Sequence, residues 1–415
     1  MSIKAVVPIV DPARREFLRK SFAGVGWMIV GNSLSQCGSS GDDMGGSGGM
    51  GGSGVPTMSN IANLGPLQDP DENGLRLPVG FTSRVIARSG MEVGRSGYVW
   101  HNAPDGGGVL TTGDGGWVYV SNSESPSALT GGAGAVRFSS SGDVVDAYQI
   151  LSGTNLNCAG GLTPWGTWLS CEETLTGRVW ECDPLGQGDP VVRPAMGVFK
   201  HEAATVDGAN QHAYLTEDVG DGRLYRFVYS APEDLSVGEL QVAEVIDGGP
   251  EGLVEWHTVP DPSAQTTPTR LQVAASTPFA GGEGIWYQDN VVYFATKGDN
   301  RVWTYATDTS MLTILYDAAT SSTPILTGVD NLVVSPAGDV VVGEDGGDMQ
   351  VVAISAGGPI VPLVQVTGQD LSEVTGPAFG PSLQRLYFSS QRGTEGLDFF
   401  GMSGVTYEVS GPFFI

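Results

Sequence analysis

One pattern of short strands recurs from about residue 58 to residue 415, and it constrains the fold more than any other feature of the sequence. Each unit opens with a short apolar strand and a turn of Gly or Asp, a second apolar strand then ends in polar residues, and a third strand follows. Units of this size and register are typical of propeller blades. The sequence therefore predicts an all-β fold, a six-bladed β-propeller with insertions between blades. The six units span 107–138, 160–182, 202–228, 283–307, 330–354 and 375–409.

Acidic residues recur at matching points of these units. In a propeller, equivalent residues of the blades form rings around a central channel, so these side chains should converge near one mouth. Carboxylates packed together cannot all stay ionised without cations, and calcium or iron(III) suits such ligands. Ordinary turn chemistry also places acid–Gly pairs at strand ends, and this is the alternative for each single acid. The first strands open with Glu202, Glu283 and Asp330, and the second strands end with Glu172, Glu173, Glu217, Asp218, Asp299, Glu344 and Asp345.

The charge balance limits the classes of partner. The chain carries 20 basic and 46 acidic side chains, which gives a net charge of −26. Such a chain repels nucleic acid backbones and anionic lipid, so neither is an expected partner. A surplus of carboxylates suits divalent or trivalent cations instead.

The first 57 residues predict an export signal followed by a flexible tether. Arg14 and Arg15 precede a short apolar stretch at 22–30, as in a twin-arginine export signal, although a basic surface helix is the alternative reading. Cys37 follows the apolar stretch as the lipidated cysteine of a lipoprotein does. We therefore expect a signal at 1–37, a Gly- and Ser-rich tether at 38–57 and the propeller domain at 58–415. The expected location is the periplasm or the cell surface, with a possible membrane tether through Cys37.

A long string at 157–173, from Asn157-Cys158 to Glu172-Glu173, resembles the signature of the PhoX-type alkaline phosphatase family. Weaker matches follow in order and carry the resemblance to about residue 393. That family is exported by the twin-arginine route and has a β-propeller with iron(III) and calcium ions at the channel mouth. The weaker matches are 199–202 (Phe-Lys-His-Glu), 217–218 with 224–227, 330–332, and 373–377 with Gln391.

The resemblance implies roles for individual residues. Cys158 would be an iron ligand, and Glu202 and Glu283 would hold metals. A disulfide is the alternative for Cys158, but Cys171 and Cys182 lie on adjacent strands of one predicted hairpin and are the likelier pair. The acids that the resemblance makes calcium candidates are Glu172, Glu173, Glu217, Asp218 and Glu344.

The resemblance also implies a function, a metal-dependent phosphoric ester hydrolase that acts on a small phosphorylated substrate. The family clamps phosphate with an arginine where this chain has Gly281, and its Gln-His-Pro-Gly reads Gln391-Arg392-Gly393 here. We predict that cations in matching positions replace the clamp, with Lys200 and Arg392 as the catalytic candidates and Lys297 as a third cation. Two other functions remain open: a tethered surface propeller that binds a partner and holds structural metal, and a calcium-dependent lactonase-like propeller.

Overall fold

A computed structural model describes residues 58–246, 248–395 and 402–415. The predicted export signal, tether and Cys37 lie outside these residues. The described part of the chain consists of β-strands, turns and four 3-10 helices of three residues each. None of its helices is long and apolar enough to cross a membrane.

The strands are short and follow one another closely. The first half contains β1 (Leu75–Arg76), β2 (Thr82–Arg88), β3 (Pro104–Thr111), β4 (Trp117–Ser123), β5 (Gly131–Phe138), β6 (Val144–Thr154), β7 (Asn157–Leu162), β8 (Trp168–Glu172), β9 (Val179–Cys182), β10 (Val191–Val192), β11 (His201–Asp207), β12 (His212–Glu217) and β13 (Leu224–Ala231). The second half contains β14 (Asp234–Val245), β15 (Gly252–Thr258), β16 (Gly282–Gln288), β17 (Val291–Thr296), β18 (Arg301–Ala306), β19 (Met311–Asp317), β20 (Val329–Val334), β21 (Val340–Glu344), β22 (Gln350–Ile354), β23 (Ile360–Val366), β24 (Val374–Phe379), β25 (Arg385–Ser390) and β26 (Val405–Ser410). The 3-10 helices are Ile61–Asn63, Pro194–Met196, Thr269–Leu271 and Gly393–Glu395.

The strands form five antiparallel sheets, and most are meanders of four strands joined by tight turns. Four sheets have the orders β3-β4-β5-β6, β7-β8-β9-β10, β20-β21-β22-β23 with β1 at the outer edge, and β24-β25-β26-β2. The fifth sheet has nine strands, because β15 pairs with both β14 and β19 and so joins the meander β11–β14 to the meander β16–β19.

The sheets surround a central axis. The first strands of the meanders contact one another in the closed order β3, β7, β11, β16, β20, β24 and back to β3. Strand β2 comes from the N-terminal side and pairs with β26, with Thr82 opposite Ser410, so the two ends of the domain are tied into one sheet. The all-β, propeller-like part of the prediction is therefore confirmed.

Apolar side chains fill the spaces between neighbouring sheets. The second strands are buried along all or nearly all of their length, Val291–Thr296 completely, because both faces of each sheet are covered. Aromatic rings join the first and last sheets, where Tyr119 and Phe138 both pack against Tyr387. This packing holds the six inner strands in fixed positions around the axis.

The predicted disulfide between Cys171 and Cys182 is wrong. Cys171 lies opposite Val179, whereas Cys182 lies opposite Trp168, three residues before Cys171 in β8. Residues three apart on a strand face opposite sides of the sheet. Each thiol is accordingly free and buried in a separate apolar core, Cys171 with Phe199 and Cys182 with Trp168.

Candidate metal centre

A β-bulge interrupts the inner strand of every meander near its first residue. In β3, Pro104 faces Ser123 but Gly107 faces Ser121, so that β3 has one extra residue between these pairs. The same shift occurs in β7, β11, β16 and β20, and it occurs one residue later in β24, after the pair of Thr375 with Ser389. A bulge kinks the strand and re-aims a side chain. The first bulged residues, which we call the inner ring, are Asp105, Cys158, Glu202, Glu283, Asp330 and Gly376.

A second set of side chains belongs to the same end of the sheets. It comprises the residue that immediately follows the second strand of each meander. Because the second strand runs antiparallel to the inner strand, this residue lies at the end of the sheet where the inner strand begins. Because the meanders repeat, these positions are equivalent to one another. We call them the outer ring, and its members are Glu124, Glu173, Asp218, Lys297, Asp345 and Gln391.

The two rings bring potential ligand atoms together. At this mouth they form three groups of three residues. Within each group, the potential ligand atoms lie within 4.8 Å of one another. Neighbouring groups share Cys158 or Glu202, so the groups are contiguous. The first group is Asp105, Glu124 and Cys158, the second is Cys158, Glu173 and Glu202, and the third is Glu202, Glu283 and Asp330.

The protein supplies too few hydrogen-bond donors for this many acidic groups. Cys158 Sγ lies 3.2 Å from Glu202 Oε1, while Glu202 Oε2 is buried and has no hydrogen-bond partner. A buried carboxylate oxygen without a partner is costly. Carboxylates and a thiol are ligands for metal ions, so the residues present fit a metal centre.

Burial dominates the electrostatics of the inner ring. It raises the pKa of Asp105, Glu202 and Glu283 well above the ordinary carboxyl value, and nearby carboxylates raise these pKa values further. Burial also raises the pKa of Asp330, to about 7, although Lys297 opposes the shift. The pKa of the Cys158 thiol is raised well above its usual value for the same two reasons. Without a compensating cation, burial and the neighbouring carboxylates therefore favour the protonated forms of these groups.

The two predicted catalytic cations lie at the rim of this mouth. Lys200 Nζ lies 2.6 Å from Glu173 Oε1 and 2.9 Å from Asp218 Oδ2. Burial by itself would raise the pKa of Asp218, but hydrogen bonds with Glu173 and Lys200 outweigh it and lower that pKa. Arg392 lies 3.4 Å from Asp345 and 3.3 Å from Glu373. Each predicted cation therefore contacts at least one outer-ring carboxylate.

Three of the predicted calcium candidates have backbone partners inside their own hairpins. Glu172, Glu217 and Glu344 are the last residues of their strands, one position before the outer ring. Each accepts a hydrogen bond from the backbone N–H six residues further along the chain, at 3.0–3.3 Å. Successive residues of a strand point to opposite faces, so these three glutamates connect the second and third strands and lie outside the three groups. Asp299 likewise bonds locally, to Thr296 and Arg301.

The structure adds three acidic residues that the sequence analysis did not select. Asp105 and Glu124 belong to the first meander, and Gln391 donates hydrogen bonds to both of them. The first predicted unit began at residue 107, and so it excluded Asp105. The signal that identifies Glu124 was available, because it directly follows the apolar strand Trp117–Ser123. Glu373 precedes β24 and is buried beside Arg392.

Gly281, which stands where the resembled family has its phosphate-clamping arginine, lies at this mouth. Its φ is +66°, in the left-handed region that favours glycine. A Cβ atom there would lie 3.0 Å from Asp218 Oδ1 and 3.9 Å from Glu283 Oε1. A side chain at position 281 would thus start between the two rings.

The opposite end of the inner strands has a different character. A cavity of about 710 Å³ lies there, and its lining is mainly aromatic and aliphatic, including Trp165, Trp286, Tyr287 and Phe379. The bulged ends of the strands, by contrast, carry the carboxylates and the rim cations. The acidic mouth is therefore the candidate site for chemistry on a charged substrate.

Comparisons with known proteins identify the family and support the fold. The family described as alkaline phosphatase PhoX matches residues 96–182 and 175–394 of the chain. No curated protein matches the chain in sequence. The solved structure of Pseudomonas fluorescens PhoX in complex with vanadate, a transition state analogue, is similar with a TM-score of 0.68 and 17% identity. The similarity covers 86% of this chain and 98% of that one, and at this identity it shows the fold.

Two further structures have more distant similarity. A Bacteroides thetaiotaomicron protein of unknown function has a TM-score of 0.50 and 10% identity, over 83% of this chain and 84% of that one. A gluconolactonase from Xanthomonas campestris has a TM-score of 0.45 and 12% identity, over 84% and 98%. The second value is too low to support an argument for a lactonase.

Proposed function

The chain belongs to the PhoX alkaline phosphatase family, and on this premise we propose that it is a metal-dependent hydrolase of phosphoric esters whose active site is the acidic mouth. The observation that carries the proposal is the pair of rings around Cys158. They bring a buried thiol and carboxylates into contiguous groups, and they leave Glu202 Oε2 without a donor from the protein. The substrate class that we propose is a small phosphorylated molecule.

The donor types suggest which ions these groups hold. A thiolate can bind a transition-metal ion such as iron, whereas calcium takes oxygen ligands such as carboxylates. We therefore propose iron(III) at the groups that share Cys158 and calcium among the carboxylates around them. The residues that would hold these ions are Asp105, Glu124, Cys158, Glu173 and Glu202.

Bound metal would supply Lewis-acid polarisation of the phosphoryl group. The chain's own contribution is positioning and charge. Lys200 and Arg392 are partly exposed, with 29% and 26% of their side chains accessible, and both lie among outer-ring carboxylates. A phosphate that enters the mouth can accept hydrogen bonds from these cations, and charge-assisted bonds of this kind are stronger than neutral ones. The vanadate complex of the Pseudomonas fluorescens protein supports a site for a phosphate-like group in this fold.

We also propose that the fold is a six-bladed propeller. In that description the nine-stranded sheet is two blades, β11–β14 and β16–β19, whose outer edges are joined by β15. The bulges, five at equivalent positions and the sixth displaced by one residue in β24, and the closed order of the six inner strands support this count. The last blade would be completed by β2 from the N-terminal side.

Export to the periplasm or cell surface is a further part of the proposal. It rests on Arg14, Arg15 and the apolar stretch after them, with Cys37 as the site of lipid attachment. Replacing both arginines by lysine should retain the protein in the cytoplasm, and Cys37→Ala should release the mature chain from the membrane. Normal export of the double-lysine variant by the same cells would contradict the twin-arginine reading.

The enzyme proposal is tested by assaying hydrolysis of an activated aryl phosphate by protein supplied with calcium and iron. Lys200→Ala and Arg392→Ala should each lower the rate about 10- to 100-fold, since a charge-assisted hydrogen bond contributes about 1.5–3 kcal/mol. Arg301→Ala is the matched control, because Arg301 pairs with Asp299 and Asp317 instead of the rings. A folded, metal-loaded protein that hydrolyses no phosphoric ester would favour the tethered binding module instead.

A further inference from the structure

Lys297 is an exception in the outer ring. The other five members are four carboxylates, Glu124, Glu173, Asp218 and Asp345, and the amide of Gln391. Lys297 directly follows β17, as each of the others follows the second strand of its own meander. Its ammonium group therefore lies at a position where four of the other meanders have a carboxylate, a group that can bind a metal ion.

The ammonium group of Lys297 contacts the third ligand group. Lys297 Nζ donates a hydrogen bond of 3.0 Å to Asp345 Oδ2 and forms an ion pair of 3.1 Å with Glu283 Oε1, an oxygen that itself accepts no hydrogen bond. Glu283 is one of the three members of that group, with Glu202 and Asp330. The Lys297 side chain is 35% exposed, whereas the Glu283 side chain is almost fully buried. The ammonium group of Lys297 therefore extends from the exposed rim to a carboxylate of the buried inner ring.

The two sides of the mouth differ in how their charge is balanced. On one side, Glu283, Asp345 and Glu373 contact Lys297 or Arg392. On the other side, Lys200 contacts Glu173 of the second group, whereas Asp105 and Glu124 of the first group accept hydrogen bonds from the neutral amide of Gln391. Asp105 and Glu124 therefore depend on a bound cation more than Glu283 does.

We propose that the Lys297 ammonium group takes the place of a metal ion at the group of Glu202, Glu283 and Asp330, so that the chain binds ions at the two groups that share Cys158 and not at the third. The inference deepens the proposed function and rests on it in one respect, namely that the Cys158 groups hold metal. Its consequence is a metal centre with a fixed organic cation on one side. A covalently attached charge cannot be removed by a chelator, whereas the ions at the Cys158 groups can.

The test measures bound metal, so it does not depend on activity. Each variant is purified with calcium and iron, dialysed, and analysed by inductively coupled plasma mass spectrometry, with ions counted per chain. Lys297→Met removes the charge but keeps an unbranched side chain, and it should bind one more ion per chain than the wild type. Lys297→Arg keeps the charge and should bind the wild-type number. Arg301→Met is the matched control for loss of a positive charge from the same meander, and it should also match the wild type.

A second variant decides the matter even if Lys297→Met does not fold. Glu283→Gln removes a ligand of the third group, and if Lys297 already supplies the charge there, the number of bound ions should not change. Loss of one ion in Glu283→Gln, or an unchanged number in a folded Lys297→Met protein, would overturn the proposal. A wild-type chain that binds no ion would refute the metal centre itself and this inference with it. Metal binding in the expected numbers without phosphatase activity would refute only the hydrolase.

Discussion

Removal of the metal ions should lower the melting temperature by several degrees. The wild-type protein is treated with a chelator, dialysed, and compared with metal-loaded protein at pH 8. Without ions, the two groups that share Cys158 contain buried carboxylates whose pKa values burial raises, so ionising them at this pH costs stability. Bound ions remove that cost and stabilise the folded state by mass action.

The size of the shift follows from the number of groups. An ion at about 100 times its Kd stabilises the fold by about 2.7 kcal/mol, so two ions contribute about 5 kcal/mol. The folded unit spans Thr57–Ile415, and at about 2.1 cal/mol/K per residue its unfolding entropy is roughly 0.75 kcal/mol/K. The expected decrease in Tm is therefore about 7 °C. It is measured by differential scanning calorimetry, with metal content determined on the same samples.

Two controls make the comparison specific. Adding calcium and iron back should restore the Tm, and the variant Asp105→Asn with Glu124→Gln should respond less to the chelator because its first group has lost its charged ligands. A sample shown to contain no metal before or after treatment, or one that loses its metal and melts within 1 °C of the untreated protein, would refute the reasoning.

Three further predictions concern the same mouth. In the metal-free protein the pKa of Asp330 is about 7, above its ordinary value of 3.8, so the folded state binds more protons than the unfolded state and the Tm should fall as the pH rises from about 4 to 7; a Tm that rises through this window would contradict the assignment. Cys158→Ser should lose iron and any charge-transfer colour and retain calcium, as absorption spectra and metal analysis would show; unchanged iron would exclude Cys158 as its ligand. Gly281→Arg and Gly281→Ala should both be destabilised by about 1–3 kcal/mol in denaturant titrations, because φ is +66°, and Gly281→Arg should hydrolyse an aryl phosphate faster than Gly281→Ala; equal rates would show that a cation at this position does not act as a clamp.

The sequence predicted the mouth but not which member of each acidic pair faces it. Glu172 and Glu173 are adjacent at a strand end, as are Glu217 and Asp218, and a strand points such neighbours to opposite faces. Which face is inner depends on the register of the sheet, and a shift of one residue exchanges the two. In the structure, Glu173 and Asp218 belong to the outer ring, whereas Glu172 and Glu217 bond to backbone N–H groups within their hairpins.

Several residues of the inner ring could be predicted from the sequence, but the bulges that orient their side chains could not. Glu202, Glu283 and Asp330 stood out because each begins an apolar strand, and all three lie in one ligand group. The bulges that turn them inward could not be predicted, because a bulge is defined by the pairing of two strands. Cys171 and Cys182 show the same limitation, since proximity along a hairpin says nothing about the face on which each thiol lies.

The departures from regular repetition set the chemistry of this mouth. If every meander had an acidic residue at both its inner-ring and its outer-ring position, the charge around the axis would be symmetric. The mouth would then offer a substrate no preferred orientation. This chain instead has Gly376 at one inner position, Gln391 and Lys297 at two outer positions, and Lys200 and Arg392 at the rim. Under the proposal, Lys297 balances the charge of Glu283 and Lys200 that of Glu173, whereas Asp105 and Glu124 are bonded by the neutral amide of Gln391, so metal ions would bind at the groups that share Cys158. A phosphate bound between these ions and the rim cations would be held from both sides, and its orientation would be fixed by the few positions at which the repeat is broken.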